Sequence, residues 1–390
     1  MLPSLLVALA ASPDASAYPW MIAHGYTSCA GCHLDPSGGG ALTAYGRSTG
    51  QLLLSPNGAE DGGDPGKKSD FLFGLVELPK GLTLQADLRG MAFPQPTKQT
   101  DGSLTWDTRA ILMQSDLRAG VNVGKAVAYA SAGVVSEGGQ AAQLSSTEDG
   151  RWNAVSREYW AGYVPFKGLL VRAGRMELPF GLRIEEHTAY VRTSTRTNLN
   201  ADQQAGVAAS YGTRRYRAEV MGILGNPQVA PADYREQGYS AMAAWSPVKT
   251  VEVGASSLVT KANADIGTLA PRTRQAHGVF GRYGGVPHTA LMAEADLLRS
   301  DDDGVSTSGA TAMVLADFEA TPGLHVRGIE QWCDTDLADA VTGATTEWLS
   351  AIWFFAPRMD LRLDALNGTL RCGDAADKQM MALGQFHVYL

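Results

Sequence analysis

The chain has 390 residues, 45% of them hydrophobic and only 18% charged, with 44 glycines; that length fits two ordinary domains or one large barrel. A formal net charge of −8 excludes the basic face that nucleic-acid binding requires, so no nucleic-acid partner is expected. No later stretch reaches the roughly 18 apolar residues of a spanning helix, since Trp353-Phe354-Phe355-Ala356 is far too short.

Residues 1–17 read as a cleaved export signal. Residues 5–11 form a short apolar core, and Ala15-Ser16-Ala17 fits the small-x-small cleavage pattern before Tyr18. The basic n-region is missing, because no Lys or Arg precedes the core. Pro13 and Asp14 interrupt the alternative, a buried N-terminal helix. The mature chain is expected to begin at Tyr18, outside the cytoplasm.

Cys29-Ala30-Gly31-Cys32-His33 follows. Covalent haem attachment needs two thiols that reach the two vinyl groups of one porphyrin and an imidazole beside the second thiol to bind iron; these five residues supply all three. Cys29 and Cys32 are expected to form the thioethers of one haem c, with His33 as proximal ligand. A zinc site would want two further ligands nearby, and only His24 offers itself. A thioredoxin-type C-x-x-C needs a βαβ context that is absent. For the sixth iron position the near candidates are Met21 and His24, with a distant residue or an open site as alternatives. Met21 also fits plain packing within Tyr18-Pro19-Trp20-Met21-Ile22, and His24 a surface position.

Asp35-Pro36-Ser37-Gly38-Gly39-Gly40 is a run of turn formers, and residues 55–69 are polar and rich in Gly, Pro and Asp, a linker by composition. The haem segment thus covers residues 18–54. That is too little chain to enclose a haem, so it must lean on the remainder.

From residue 70 to 390 the dominant period is two. In Leu82-Thr83-Leu84-Gln85-Ala86-Asp87-Leu88-Arg89 one face is apolar and the other polar, and Met359-Asp360-Leu361-Arg362-Leu363-Asp364-Ala365 repeats the scheme, as do residues 216–223 and 291–297. A soluble sandwich also alternates, so turn spacing carries the decision. Short turns recur near Gly124, Pro165, Thr213, Pro247, Pro287, Pro322 and Pro357, and the longer connections 137–150, 179–203, 226–234, 301–308 and 333–344 fall between them. Tight turns at one end and long loops at the other describe a transmembrane antiparallel β-barrel. Seven short turns imply sixteen strands, the last spanning 378–390. If residues 70–78 join the wall with a partner near Leu52 to Leu54, the count becomes eighteen. Aromatics at strand ends (Trp152, Tyr159, Trp160, Tyr163, Trp245, Trp332, Trp348, Trp353) read as interfacial girdles.

Three stretches carry resemblances. Gly174-Arg175-Met176-Glu177-Leu178-Pro179-Phe180-Gly181-Leu182 is similar to a stretch of many bacterial porins where a strand passes into a long loop. The last strand resembles the terminal signature of outer-membrane barrels, although it ends on Leu390 with the aromatic Tyr389 one place inside. The run from Tyr18 through the Cys29–His33 motif to the glycine triplet resembles bacterial cytochrome-motif proteins with a barrel-like remainder. Together these imply an outer-membrane porin-like barrel in contact with lipid, its haem segment periplasmic.

Two further groups stand out. The 179–203 loop holds Arg183, Glu185, Glu186, His187, Arg192 and Arg196; folded inward it would narrow and polarise a pore, and otherwise it is a solvated external loop. His187, at the end opposite the haem motif, is not expected to reach the iron. Cys333 and Cys372 flank neighbouring hairpins in an oxidising compartment and are expected to form a disulfide. No G-x-S-x-G or H-E-x-x-H element is present, so no hydrolase is expected. A haem peroxidase would need an open iron face and a distal acid/base group, for which His24 is the one nearby candidate.

The expectation is therefore electron transfer at the periplasmic side of the outer membrane, with a periplasmic redox partner. One haem cannot bridge a hydrocarbon core of roughly 30 Å. The alternative is a diffusion pore in which the haem segment is a plug or redox gate, and self-association stays open.

Overall fold

A computed structural model describes residues 19–56, 71–98, 104–136, 143–146, 151–265, 268–339, 342–372 and 375–390. The expected signal, 1–17, and most of the expected linker, 55–69, lie outside the described residues.

The first strands are β1 (Leu82–Lys98), β2 (Leu104–Val123), β3 (Ala126–Ser136), β4 (Gln143–Ser146), β5 (Trp152–Val155), β6 (Tyr159–Tyr163), β7 (Leu169–Met176), β8 (Gln204–Gly212) and β9 (Tyr216–Ile223). They continue as β10 (Gln237–Val248), β11 (Val251–Ala262), β12 (Arg272–Val286), β13 (Thr289–Asp302), β14 (Val305–Thr321), β15 (Leu324–Asp334), β16 (Gly343–Ala356), β17 (Met359–Cys372) and β18 (Ala375–Tyr389). Neighbours pair antiparallel, and β18 pairs back onto β1 with Arg89 opposite His387 and Asp87 opposite Tyr389, which closes the barrel. β5 and β6 both pair with β3 and are two halves of one wall strand, interrupted at Ser156-Arg157-Glu158, while β4 is a flap on β5. The wall therefore has sixteen strands.

The eighteen-strand alternative does not form. Residues 71–74 are a 3-10 turn with Leu72 and Phe73 at positive φ, and Leu52 to Leu54 belong to helix α1 (Ala44–Leu54) inside the barrel. The connection expected at 301–308 is instead a tight hairpin, because β13 and β14 stay paired up to Asp302 opposite Val305.

Burial separates a membrane barrel from a soluble sandwich. Along β17, Asp360, Arg362 and Asp364 are buried inside whereas Leu361 and Leu363 are exposed outside. The same inversion, charge inward and apolar outward, runs through β9 and β13. A water-soluble protein would place these side chains the other way round, and lipid outside with polar groups in a lumen explains them. Trp152, Tyr159, Tyr163, Trp245, Trp332 and Trp353 are exposed, as a girdle requires. Trp160 and Trp348 instead point inward, because they occupy the other parity of their strands.

The lumen is filled from both ends. From the short-turn side come a 3-10 helix (Pro19–His24), the Cys29–His33 turn and α1. From the other side the long loop after β7 folds inward, carrying the single-turn helix α2 (Tyr190–Thr193). Leu182, Ile184, Ala189 and Val191 of that loop pack on Met242, Ala244, Phe280, Met292, Leu315 and Ile329 of the wall. Each fully buried Leu, Ile or Val of the loop contributes about 1.5–3 kcal/mol, and that burial holds the loop inward. Gly181, at φ 59, sits where a Cβ would collide with the Glu294 carboxylate and the Arg192 guanidinium.

Candidate functional site

The N-terminal plug is tied to the wall by buried charge and by close backbone approach. Asp35 is fully buried; it accepts hydrogen bonds from Ser37 N and Oγ, both at 2.7 Å, and pairs with Arg172 Nη1 at 2.5 Å. Burial pushes its carboxyl up, but Arg172 and the Ser37 donors outweigh that and hold it at about 2. Arg172 in turn bonds Glu219 Oε1 at 2.5 Å and lies over the Trp160 ring. Arg282 donates to Thr27 O, Arg118 to Gly40 O, and Gln85 Oε1 accepts from Leu42 N. Contacts from β1, β2, β7 and β12 thus reach the plug from around the barrel. At Gly284 of β12 an added Cβ would strike the backbone of Ile22 and Ala23.

Within the plug the Cys29–His33 segment winds as one helical turn, with His33 N and Cys32 N both bonded to Cys29 O. The chain then doubles back through Gly38 (φ 103) and Gly40 (φ 72), so that Leu34 N bonds Ala41 O and Thr43 N bonds Cys32 O. Thr43 caps α1, its Oγ accepting from Gly46 N at 3.0 Å and donating to Gly31 O at 3.0 Å. This cap satisfies orphan groups at both the helix start and the motif. A Cβ at Gly46 would collide with the Cys32 carbonyl, so only glycine lets α1 lie against the motif.

Beside the motif lies a cavity of about 1270 Å³, part of it open to solvent. Cys32, His33, Met21, the α1 face Gly46-Gly50-Leu54, wall residues of β1, β2, β3 and β18, and the inward loop line it. The residues present fit a covalent haem. Cys32 lines it, Cys29 is buried with its Sγ behind Gly38 of the lining, and Gly46 and Gly50 offer a face without side chains. His33 has a backbone hydrogen-bonding contact at Gly39, while its Nδ1 is buried with no partner among the described residues. One nitrogen held and one spare is the arrangement of a metal-bound imidazole. Burial, with Arg118 adding to it, lowers the His33 pKa to about 4, so the ring is the neutral form that ligates metal.

The two near candidates for the sixth position separate. Met21 lines the same cavity, its side chain packed with Trp20, Ile22, Leu54, Ala290, Ile352 and Phe354. His24 does not: it lines a second pocket at the short-turn rim with Trp20, Ala23, His288 and Glu319, its ring edge-on to Trp20 at 4.5 Å. Positions 21 and 24 lie on one face of the 3-10 helix but a turn apart along it, Met21 at the cavity and His24 at the rim.

The inward loop brings some of its charges to the cavity and spends the others on anchoring. Arg183 and Glu185 line the cavity; Arg183 Nε bonds Ser37 O at 2.9 Å and so joins loop to plug. Burial raises Glu185, whereas Arg327 and Arg362, against the pull of burial, hold Glu186 down at about 2. Those bonds measure 2.5 Å from Arg327 Nη1 and 2.9 Å from Arg362 Nη1 to Glu186 Oε1. Arg192 is fully buried and bonds Glu294, Phe180 O and Thr197, and Arg196 pairs with Glu236 and Asp265; both are struts. Contrary to the sequence expectation, His187 lies on the cavity wall with His33, because the loop turns into the lumen. Burial, then Arg89 and Arg157, lower its pKa to about 4.

Sequence reasoning missed Arg118, Arg157, Glu158, Glu177, His387 and Tyr389, all on this cavity. Inward strand parity could have found Arg118, but the break that turns Arg157 and Glu158 inward has no sequence signal. Burial raises the Glu177 carboxyl to about 7, against the opposing Arg183.

The expected Cys333–Cys372 disulfide is not formed. Cys333 is a free, buried thiol with its Sγ 3.3 Å from Ser194 Oγ. It sits on β15, which β16 separates from β17, where Cys372 ends the strand; the Cys372 side chain lies outside the described residues. Two strand spacings of about 4.8 Å exceed the roughly 7 Å that a disulfide bridges between Cα atoms.

No family model matches the chain, and no curated protein matches its sequence. Solved structures do match in shape. The outer membrane channel DcaP of Acinetobacter baumannii aligns with TM-score 0.59 at 14% identity, covering 81% of this chain and 99% of that one. A trimer form of OmpT, an outer membrane protein of Vibrio cholerae, gives 0.58 at 11%, covering 79% and 99%. An anion-selective porin from Comamonas acidovorans gives 0.56 at 13%, also covering 79% and 99%. At such identities the likeness speaks of fold, and the chain has the fold of the outer-membrane porins.

Proposed function

We propose that this chain is an outer-membrane barrel in contact with lipid, whose lumen is closed by a plug carrying one haem c on Cys29, Cys32 and His33. Its function on this reading is electron transfer with a partner at the short-turn, periplasmic side. The observation that carries it is the position of the Cys29–His33 turn inside the barrel, with Cys32 and His33 on the wall of a cavity. The haem would supply a one-electron centre. The chain's own residues do the rest: Asp35 and Arg172 fix the motif, α1 shields one side of it, and the wall and loop limit water around it. A low-dielectric, hydrogen-bonded pocket is the protein's means of setting a haem potential.

A second reading is favoured by the likeness to proteins described as a channel and an anion-selective porin: a diffusion pore that conducts when the plug moves. Self-association fits either reading, given that OmpT has a trimer form. A denaturing gel of the membrane fraction stained for covalent haem, with Cys32→Ala as control, tests the first; planar-bilayer conductance tests the second. A stained wild-type band with a closed barrel supports electron transfer. An unstained band with steady conductance refutes it and leaves the pore.

A further inference from the structure

We propose that His187 is the sixth ligand of the iron, an inference that rests on the haem reading above. It and His33 line the same cavity from different elements, one on the inward loop and the other on the plug. The charged groups around His33 are Arg118, Asp35 and Asp87, and those around His187 are Arg89, Arg157 and Glu186. Asp87 and Arg89 share the inner face of β1, and Arg118 and Arg157 both pair with Asp116, so the two rings border one connected group of charges on the cavity wall.

The His187 ring is also held as an iron-binding imidazole is held. It bonds no side chain among the described residues, and its hydrogen-bonding neighbour is the Glu185 backbone, which also accepts from His187 N at 2.8 Å. The Glu185 backbone therefore orients the ring, and ligation by a ring nitrogen would break no side-chain hydrogen bond among the described residues. The segment is fixed on both sides: Glu186 is clamped to Arg327 and Arg362 of the wall, and Arg183 bonds Ser37 O, four residues beyond His33. Gly38 allows that approach, since a Cβ there would lie 3.4 Å from Arg183 Cγ and 3.1 Å from Cys29 Sγ.

The other candidate ligands on the cavity are engaged elsewhere. His387 has its Nδ1 3.0 Å from Asp360 Oδ2 and its Nε2 3.9 Å from Asp87 Oδ1, so ligation would break a buried pairing. Met21 is packed in the apolar cluster at the base of the plug, where turning its sulfur to iron would vacate space beside Trp20 and Phe354.

The test uses full-length protein from membranes, by electron paramagnetic resonance and visible spectroscopy of wild type, His187→Ala, His187→Met and Met21→Leu, each checked by haem stain. The thioethers lie on Cys29 and Cys32, so the stain should persist in every variant. Wild type should be low-spin. His187→Ala should lose the low-spin signal and regain it with added imidazole, and His187→Met should gain a sulfur-to-iron charge-transfer band. A high-spin wild type overturns the inference. So does a low-spin signal that survives His187→Ala, or one lost in Met21→Leu but kept in His187→Ala. An unstained wild type overturns the haem reading itself, a distinct outcome.

Discussion

Asp35→Ala is the sharpest probe of how the plug is held. The carboxylate and the Arg172 guanidinium are both fully buried and 2.5 Å apart, and the substitution also removes the acceptor of two Ser37 hydrogen bonds. Removing one partner of a buried ion pair costs about 3–5 kcal/mol, largely because the other charge is left uncompensated. Arg172 keeps Glu219 at 2.5 Å, which argues for the low end, about 3 kcal/mol. At 1.4 kcal/mol per tenfold, that raises the undocked fraction of the plug roughly hundredfold. Open events in planar bilayers and protease cleavage within residues 19–56 should both rise by about that factor. Replacing Arg172 with Met in the Asp35→Ala background should recover part of the loss, since it removes the orphaned charge. If docking in Asp35→Ala stays within about threefold of wild type, or the double variant recovers nothing, the pair does not hold the plug.

Three other substitutions test separate joints. Gly46→Ala gains about 1 kcal/mol of helix propensity yet drives a Cβ into the Cys32 carbonyl; haem staining should fall several-fold, and wild-type staining would show that α1 does not pack against the motif. Gly284→Leu on β12 should displace the plug from the wall side, raising conductance while leaving the heat-dependent gel mobility of the barrel unchanged. Arg327→Ala leaves Glu186, Glu185 and Asp317 short of their cation, at a cost of about 3–5 kcal/mol. Limited trypsin digestion should then cut the loop at Arg192 or Arg196, and resistance like that of wild type would count against the loop anchor.

The legible parts of this protein are those with a local physical cause. Period-two patterning sorted Thr83, Gln85 and Asp87 from Leu84 and Leu88 before any contact was known, and turn formers such as Pro322-Gly323 and Pro357-Arg358 marked where strands reverse. The strand count could be obtained because each tight turn is a local event. Errors arose where distant segments decide. The 301–308 segment looked like a loop because Asp and Gly favour turns, yet long-range pairing carried β13 and β14 through it. Cys333 and Cys372 flank neighbouring hairpins in the sequence, but an intervening strand parts them. Helix α1 was missed although Thr43 supplied a cap and Gly46, Gly50 and Leu54 keep helical spacing, because glycine is a poor helix former until a neighbour needs its small size.

By itself the sequence determined the barrel, its alternation of lipid-facing and lumen-facing residues, and the Cys29–His33 motif, because each is written within a few consecutive residues. Only the tertiary structure decided where that motif lies and what surrounds it. The apolar side of the 177–203 loop packs on the inner wall and turns His187 inward, and Asp35 finds Arg172 across the lumen. Those partners are joined by burial and charge compensation between segments from about 50 to more than a hundred residues apart, which no short-range pattern encodes.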